Sequence, residues 1–244
     1  ALRLYISGRS KLLEGQAARA VADLEAAARL DPNAPEIWRE LGQAQLELGR
    51  RTSAMTSFQR ALRLGIDDPR ISVYIAREDI RARRYEDAAR KLIEARSTPD
   101  VSTNDALRQV LSVDLAEALG ALGYARACRD LLTEGLSTPV ASLSQSSLRN
   151  ELAEIMRRRG DLWMRVGDLS CRLGEYDKAA WAYAAAADSP TLDPQLLVAR
   201  RVYANLRMGR SAEAALVLVE DIRQSEGRVD DRHMAVISYL ARHT

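Results

Sequence analysis

The stretch LDPNAPEIWRELGQAQLELGRRTSAMTSFQRALRLG, residues 30–65, reads as helix, tight turn, helix. Pro35 stands where a first-turn proline is tolerated, because its missing N–H would have no partner there anyway. Ile37, Trp38, Leu41 and Leu48 recur at helical spacing and make one apolar face, which Gly49 closes. A second helix runs on Ala54, Phe58, Ala61 and Leu62. Gly42, one turn after Trp38, removes a side chain where the two helices must approach.

The grid recurs along the chain. Ala20, Ala54 and Ala88 stand 34 residues apart, followed in register by Leu24, Phe58 and Leu92, then by Ala27, Ala61 and Ala95. The turn before each marker carries Gly15, Gly49 and then Arg83. Further along, the marker falls at Cys128, Ala179 and Ala214, with Gly123, Gly174 and Gly209 in the preceding turns. Self-similarity at such a period is the signature of a stacked repeat. The wider interval before Cys128 puts about six extra residues near Pro99 to Asn104. The interval before Ala179 is wider still, and Leu148, Leu152, Ile155 and Met156 keep helical periodicity in it. It predicts one more helix or a lengthened first helix.

Trp38-x-x-Leu41-Gly42 with Ala54-x-x-x-Phe58 and Ala61 resembles the tetratricopeptide repeat, and so does Trp163-x-x-Val166-Gly167 with Ala179-x-x-x-Tyr183. Gln45 and Ser170 depart from the family's usual Tyr, and Ile66 stands where a terminal Pro is usual. The resemblance implies an all-α, right-handed superhelical solenoid of about six repeats, at residues 1–34, 35–68, 69–102, 109–141, 160–193 and 195–228. An inserted helical segment is expected at 144–159 and a terminal helix at 230–242. The first helix begins at once, at Ala1, and Leu2, Leu4 and Ile6 call for cover by an upstream repeat, so the chain is expected to be part of a longer protein.

Composition agrees with a folded chain: 47% apolar, 29% charged and only 5% aromatic residues. The formal charge of +2 implies no field for polyanions. Of 36 basic residues only Lys11, Lys91 and Lys178 are lysines; coding bias accounts for this, and so would bidentate recognition of carboxylate or phosphate. No stretch is long and apolar enough to span a membrane. Two cysteines at no metal-type spacing favour a reducing compartment, with a periplasmic one open if a leader or anchor has been trimmed.

No catalytic constellation is visible. His233 and His243 have no Cys or acidic cluster around them, and the Gly-rich phosphate motifs are absent. Cys128 takes the small-residue core position of its helix and reads as an inert buried thiol. The acids at 86–87 and 175–177 fall at helix starts, where the dipole favours them. No cofactor or metal is expected, and no enzyme activity.

In repeats of the resembled family, the first helices line a concave groove that binds peptides. Carried over by register, the resemblance puts Tyr5, Arg9, Arg39, Gln43, Arg70, Val73, Arg77, Ile80 and Arg81 on the groove's first half and Tyr203 near its end. Glu117, Asp161 and Asp168 would make its middle acidic. The arginines suggest a protein or peptide partner with an acidic segment, anchored on Tyr5, Val73 or Ile80; pairing of these charges across repeats is the competing reading. Three alternatives are a regulatory region of a larger enzyme or signalling protein, self-association through an exposed end, and single-stranded RNA binding. Near-neutral charge and few groove aromatics argue against RNA. Trp181, two residues past core Ala179, should point away from its own helix pair, either packing on the next unit or joining an exposed convex patch, and Arg157 to Arg159 read as a solvated helix end.

Overall fold

The structure, a computed structural model, describes residues 1–138, 148–187, 189, 192–224, 229, 233–234, 237–238 and 241. All regular structure among the described residues is helical, and the chain divides into two compact units, 1–82 and 83–244. The expected terminal helix at 230–242 lies largely outside the described residues, as do residues 144–147 and His243.

The first unit holds α1 (Leu2–Leu13), α2 (Ala17–Leu30), α3 (Pro35–Glu47), α4 (Arg51–Arg63) and α5 (Pro69–Arg81). Each packs on the next, and α1 also meets α3. Three apolar clusters make the core, and Trp38 packs against all of them: Leu24 and Leu41 in one, Ala27 and Ile37 in the second, Phe58 and Ile71 in the third. Its indole N–H donates to the Pro32 carbonyl at 2.9 Å, so the ring spans the core with its polar atom satisfied. Phe58 is fully buried and stacks on Tyr74 of α5, centroids 5.1 Å apart. Burial of such a ring stabilises by about 2–3 kcal/mol.

The close approach inside each pair depends on an absent side chain. A Cβ on Gly42 would lie 2.6 Å from Phe58 Cε1, and one on Gly8 would lie 2.7 Å from Leu24 Cγ. Gln45, at a departure from the family pattern, is buried and accepts from Ser57 Oγ at 2.8 Å. A short polar pair thus fills the space of a larger ring.

The second unit holds α6 (Tyr85–Arg96), α7 (Pro99–Thr103), α8 (Asp105–Ala121), α9 (Ala125–Ser137), α10 (Arg149–Arg157), α11 (Arg159–Arg172), α12 (Tyr176–Ala185), α13 (Pro194–Arg207) and α14 (Ser211–Gln224). The extra residues before α8 fold as the one-turn helix α7, and the Asn104 side chain then caps α8 by accepting from Leu107 N at 3.0 Å. The wider gap before α12 contains α10 and α11, separated only at Arg158 (φ −95°, ψ 7°). Gly167 repeats the device of Gly42: a Cβ there would overlap the ring of Tyr183, which is fully buried. Cys128 is likewise fully buried, and burial pushes its thiol up, which keeps it protonated and inert.

Each turn between paired helices is closed by a left-handed residue. Gly15, Gly49, Gly123, Gly174 and Gly209 have φ between 72° and 87°, but the same place before α6 is taken by Arg83 at φ 58°. An L side chain there meets its own carbonyl, a cost of about 1 kcal/mol that glycine avoids.

Two outcomes follow in denaturant unfolding. Gly42→Ala forces the Phe58 ring off its seat and lowers stability by about 1–3 kcal/mol. Arg83→Gly relieves the left-handed strain and raises stability by about 0.5–1 kcal/mol, less the chain entropy that glycine adds.

Candidate functional site

The groove residues expected in the first unit lie on α1, α3 and α5, and a chain of ion pairs joins those helices. Arg39 Nη1 bonds Asp68 Oδ2 at 2.8 Å and Arg39 Nη2 bonds Glu40 Oε1 at 2.5 Å. Arg70 closes on both Asp68 oxygens, with its Nη2 at 2.6 Å, and Arg9 Nε approaches Glu40 at 4.0 Å. Asp68 also caps α5, accepting from Arg70 N at 3.0 Å. One carboxylate therefore serves as helix cap and as clamp for two guanidiniums.

Glu40 and Asp68 are buried, so these are not loose surface pairs. Burial alone would raise the Asp68 pKa; hydrogen bonds from Arg70 and Arg39 more than offset it and hold the carboxyl below the ordinary range. The Arg39 guanidinium is opposed by burial but pushed further up by Asp68 and Glu40. Arg39 and Arg70, with side chains 15% and 30% exposed, form a fixed frame. Arg9 and Arg81 are 56% and 50% exposed, and Arg81 pairs with half-buried Glu78 of its own helix at 3.1 Å.

Tyr5, Gln43, Arg77 and Ile80 are half-buried. Tyr5 leans on the clusters around Leu24 and Ile37. Val73 is a correction: it is fully buried and presents no surface to a peptide. Tyr203 lies in the second unit, on α13, half exposed and edge-on to Tyr176 at 6.4 Å, with the Arg207 guanidinium 5.0 Å from the Tyr176 ring.

In the second unit a cavity of about 490 Å³ is lined by Asp161, Met164, Arg165, Asp168, Arg172 and Leu196, among others. Asp168 pairs with Arg200 Nε at 3.1 Å and accepts from the Tyr183 hydroxyl at 2.8 Å. The Arg165 guanidinium lies against Gly120, where a Cβ would displace it. This region is therefore of mixed charge, because Arg165 and Arg200 lie among the acids expected there. Neither arginine stood at an expected groove position.

Two surface expectations change. Trp181 turns toward its own helix pair, meeting buried Trp163 edge-on with centroids 4.9 Å apart, yet remains 52% exposed. Of the three consecutive arginines, Arg159 does not end in solvent: it is half-buried, and its Nη2 donates to the Leu136 carbonyl at 2.7 Å. That bond ties the start of α11 to the end of α9. His233 is buried with its Nε2 2.9 Å from Asp221 Oδ2 of α14. Among the described residues no helix is long and apolar enough to cross a membrane.

Residues 7–69 match the family model described as tetratricopeptide repeat. The fold is similar to that of Pseudomonas aeruginosa pilF, with a TM-score of 0.60 at 14% identity over 97% of this chain and 96% of that one. It is also similar to PilW, a type IV pilus biogenesis factor, with a TM-score of 0.54 at 12% identity and 96% coverage of both chains. A third similar structure is YrrB, a TPR protein described as having an unusual peptide-binding site, with a TM-score of 0.54 at 15% identity over 76% of this chain and 84% of that one. In sequence, a segment of 56 residues is 46% identical to Superkiller complex protein 3 of Mus musculus, covering 23% of this chain. The match spans only 4% of that relative's length. Residues 7–69 thus carry the tetratricopeptide repeat, and the fold as a whole is that of tetratricopeptide-repeat structures. Proteins of this fold are in general non-catalytic scaffolds that bind protein or peptide partners.

The depressed Asp68 pKa makes the ion-pair frame acid-sensitive. Its stabilisation is complete above the unfolded carboxylate value of about 4 and is lost as pH falls through the lower folded value. Asp68→Asn is expected to cost about 3 kcal/mol at neutral pH, by leaving two guanidiniums without their carboxylate. Urea unfolding from pH 7 to pH 2 checks both the cost and a flatter acid limb in the variant.

Proposed function

We propose that this chain is a non-catalytic adaptor that holds an extended acidic peptide of a partner protein on the face formed by α1, α3 and α5. The observation that carries this reading is the division among the arginines of that face. Arg39 and Arg70 are committed to buried carboxylates, whereas Arg9 and Arg81 are half exposed with weak pairings. Same-helix pairs of the Arg81–Glu78 kind are worth only about 0.3–0.5 kcal/mol. A ligand carboxylate can replace such a partner at small cost, and a guanidinium fork grips it with two hydrogen bonds.

The buried frame has a different task in this reading. Its carboxylates offset the charge of Arg39 and Arg70 and hold α1, α3 and α5 in one arrangement, so the two half-exposed, weakly paired arginines project from a rigid support. Gln43 supplies a side-chain amide for a peptide backbone, and Tyr5 and Ile80 supply apolar shoulders. Near-neutral net charge restricts attraction to this local pattern, which favours a particular acidic segment over polyanions in general.

Capture of partners on the immobilised chain, wild type beside Arg9→Glu/Arg81→Glu, tests the reading. Partner recovery is expected to fall at least about tenfold, about 1.4 kcal/mol for two lost contacts. Unchanged recovery from a variant with the wild-type melting temperature would sink it. A steep fall of oligonucleotide affinity with salt in a filter assay would instead support nucleic-acid binding.

A further inference from the structure

We infer that the second unit carries a separate peptide-recognition site outside the α1–α3–α5 face, in a crevice between α9, α10, α11 and α12, and that it takes a large apolar side chain flanked by a carboxylate. The crevice encloses about 720 Å³ and is walled by Trp163, Trp181, Met156 and Leu136, with Arg157 and Arg159 at its edge. This volume lies in the range of small-ligand sites, about 300–1,000 Å³. Trp181 offers an exposed indole held edge-on by the buried indole of Trp163, which spares a ligand most of the entropy cost of ordering it.

The repeat supplies an internal control for the purpose of Trp181. Aligning core Ala179 with Ala54 makes Trp163 the counterpart of Trp38, and Trp181 the counterpart of Thr56. The second repeat has its own crevice at that place, of about 530 Å³, lined by Trp38 with Thr56, Ser53, Ser57, Glu25 and Arg29. The same helix geometry therefore forms with a threonine where the fifth repeat has an indole. Across the six repeats the position holds Ala22, Thr56, Arg90, Asp130, Trp181 and Leu216, all exposed. Packing makes no demand there, so the scaffold does not explain an exposed tryptophan.

The charge at the edge selects the partner. Arg157 and Arg159 are the charged residues among the described residues lining the crevice, with no carboxylate among them, whereas Glu25 faces the crevice of the second repeat. Arg159 is fixed by its bond to the Leu136 carbonyl, while Arg157 is exposed; their neighbour Arg158 pairs with Glu154 at 3.7 Å. An indole wall beside two guanidiniums suits a hydrophobic anchor next to an acid, and Trp and Arg are residue types enriched in interface hot spots. A single exposed indole is a poor platform for a strand of successive bases.

The probe is the pentapeptide acetyl-Ser-Glu-Phe-Glu-Ser-amide, titrated into the whole chain by calorimetry. Binding in the range of about 10–100 μM is expected, with losses of at least about tenfold on Trp181→Thr, on Arg157→Glu, and on replacing the peptide's Phe by Ala or its Glu residues by Lys. Trp181→Thr installs the residue that the second repeat carries at this position, so its thermal melt should match the wild type. Arg158→Glu and Arg9→Glu/Arg81→Glu should leave this affinity unchanged, which separates failure here from failure of the α1–α3–α5 reading. Equal binding of the Lys peptide, indifference to Trp181→Thr, tighter binding of oligouridylate, or a dimer that Trp181→Thr dissociates would each overturn the inference.

Discussion

The ring of Phe58 occupies the space that a side chain on Gly42 would need. That approach sets the distance between α3 and α4, and with it the rest of the first unit. With the helices so close, Trp38 can reach all three apolar clusters at once, and Phe58 can stack on Tyr74 of the following repeat. Gly8 against Leu24 and Gly167 against Tyr183 repeat the arrangement with different large residues. A helix pair of this kind cannot bury its apolar face alone; it needs a neighbour presenting the same grid, which is why the grid recurs.

The same proximity turns a row of arginines from a repulsive patch into a frame. Brought together on packed helices with no carboxylates between them, Arg9, Arg39 and Arg70 would repel one another. Packed together, they alternate with Glu40 and Asp68, and the two buried carboxylates are satisfied from several sides. Coulomb attraction between buried groups is opposed by the cost of removing them from water, so the frame adds less stability than its bond count suggests. Its stronger effect is geometric. Asp68 caps α5 and grips Arg39 of α3, so the start of one helix is registered against the middle of another.

The repeats were legible because their cause is periodic and local. Ala20, Ala54 and Ala88 stand at one spacing, since each must fit beneath a neighbouring helix, and none exceeds zero exposure. The frame was not legible. Asp68 reads in sequence as the boundary residue of Asp68-Pro69, and only folding brings it to an arginine 29 positions earlier. Val73 failed as a groove residue because register fixes the direction of a side chain but not what covers it. Arg159 and Trp181 were misread for a related reason: their partners, the Leu136 carbonyl and the Trp163 ring, belong to other helices. Arg165 and Arg200 stood at no expected groove position, yet they mix with the acids of the second unit.

Repetition within one chain separates scaffold from function more sharply than likeness to other proteins does. The fold matches pilF with a TM-score of 0.60 at 14% identity, so few positions need to be kept for the helices to stack. Those positions recur inside this chain as small residues under rings and as left-handed turns. Where one repeat departs from the grid, the departure has either a local compensation or none. Gln45 has one, since Ser57 has come to meet it, and Arg83 has none, because it bears the strain that glycine avoids elsewhere. Trp181 is a third kind, for it stands where every repeat is exposed and nothing in the packing selects its side chain. Its edge-on contact with Trp163 covers only part of the ring, and the half left in water costs solubility, so its explanation has to come from something it meets.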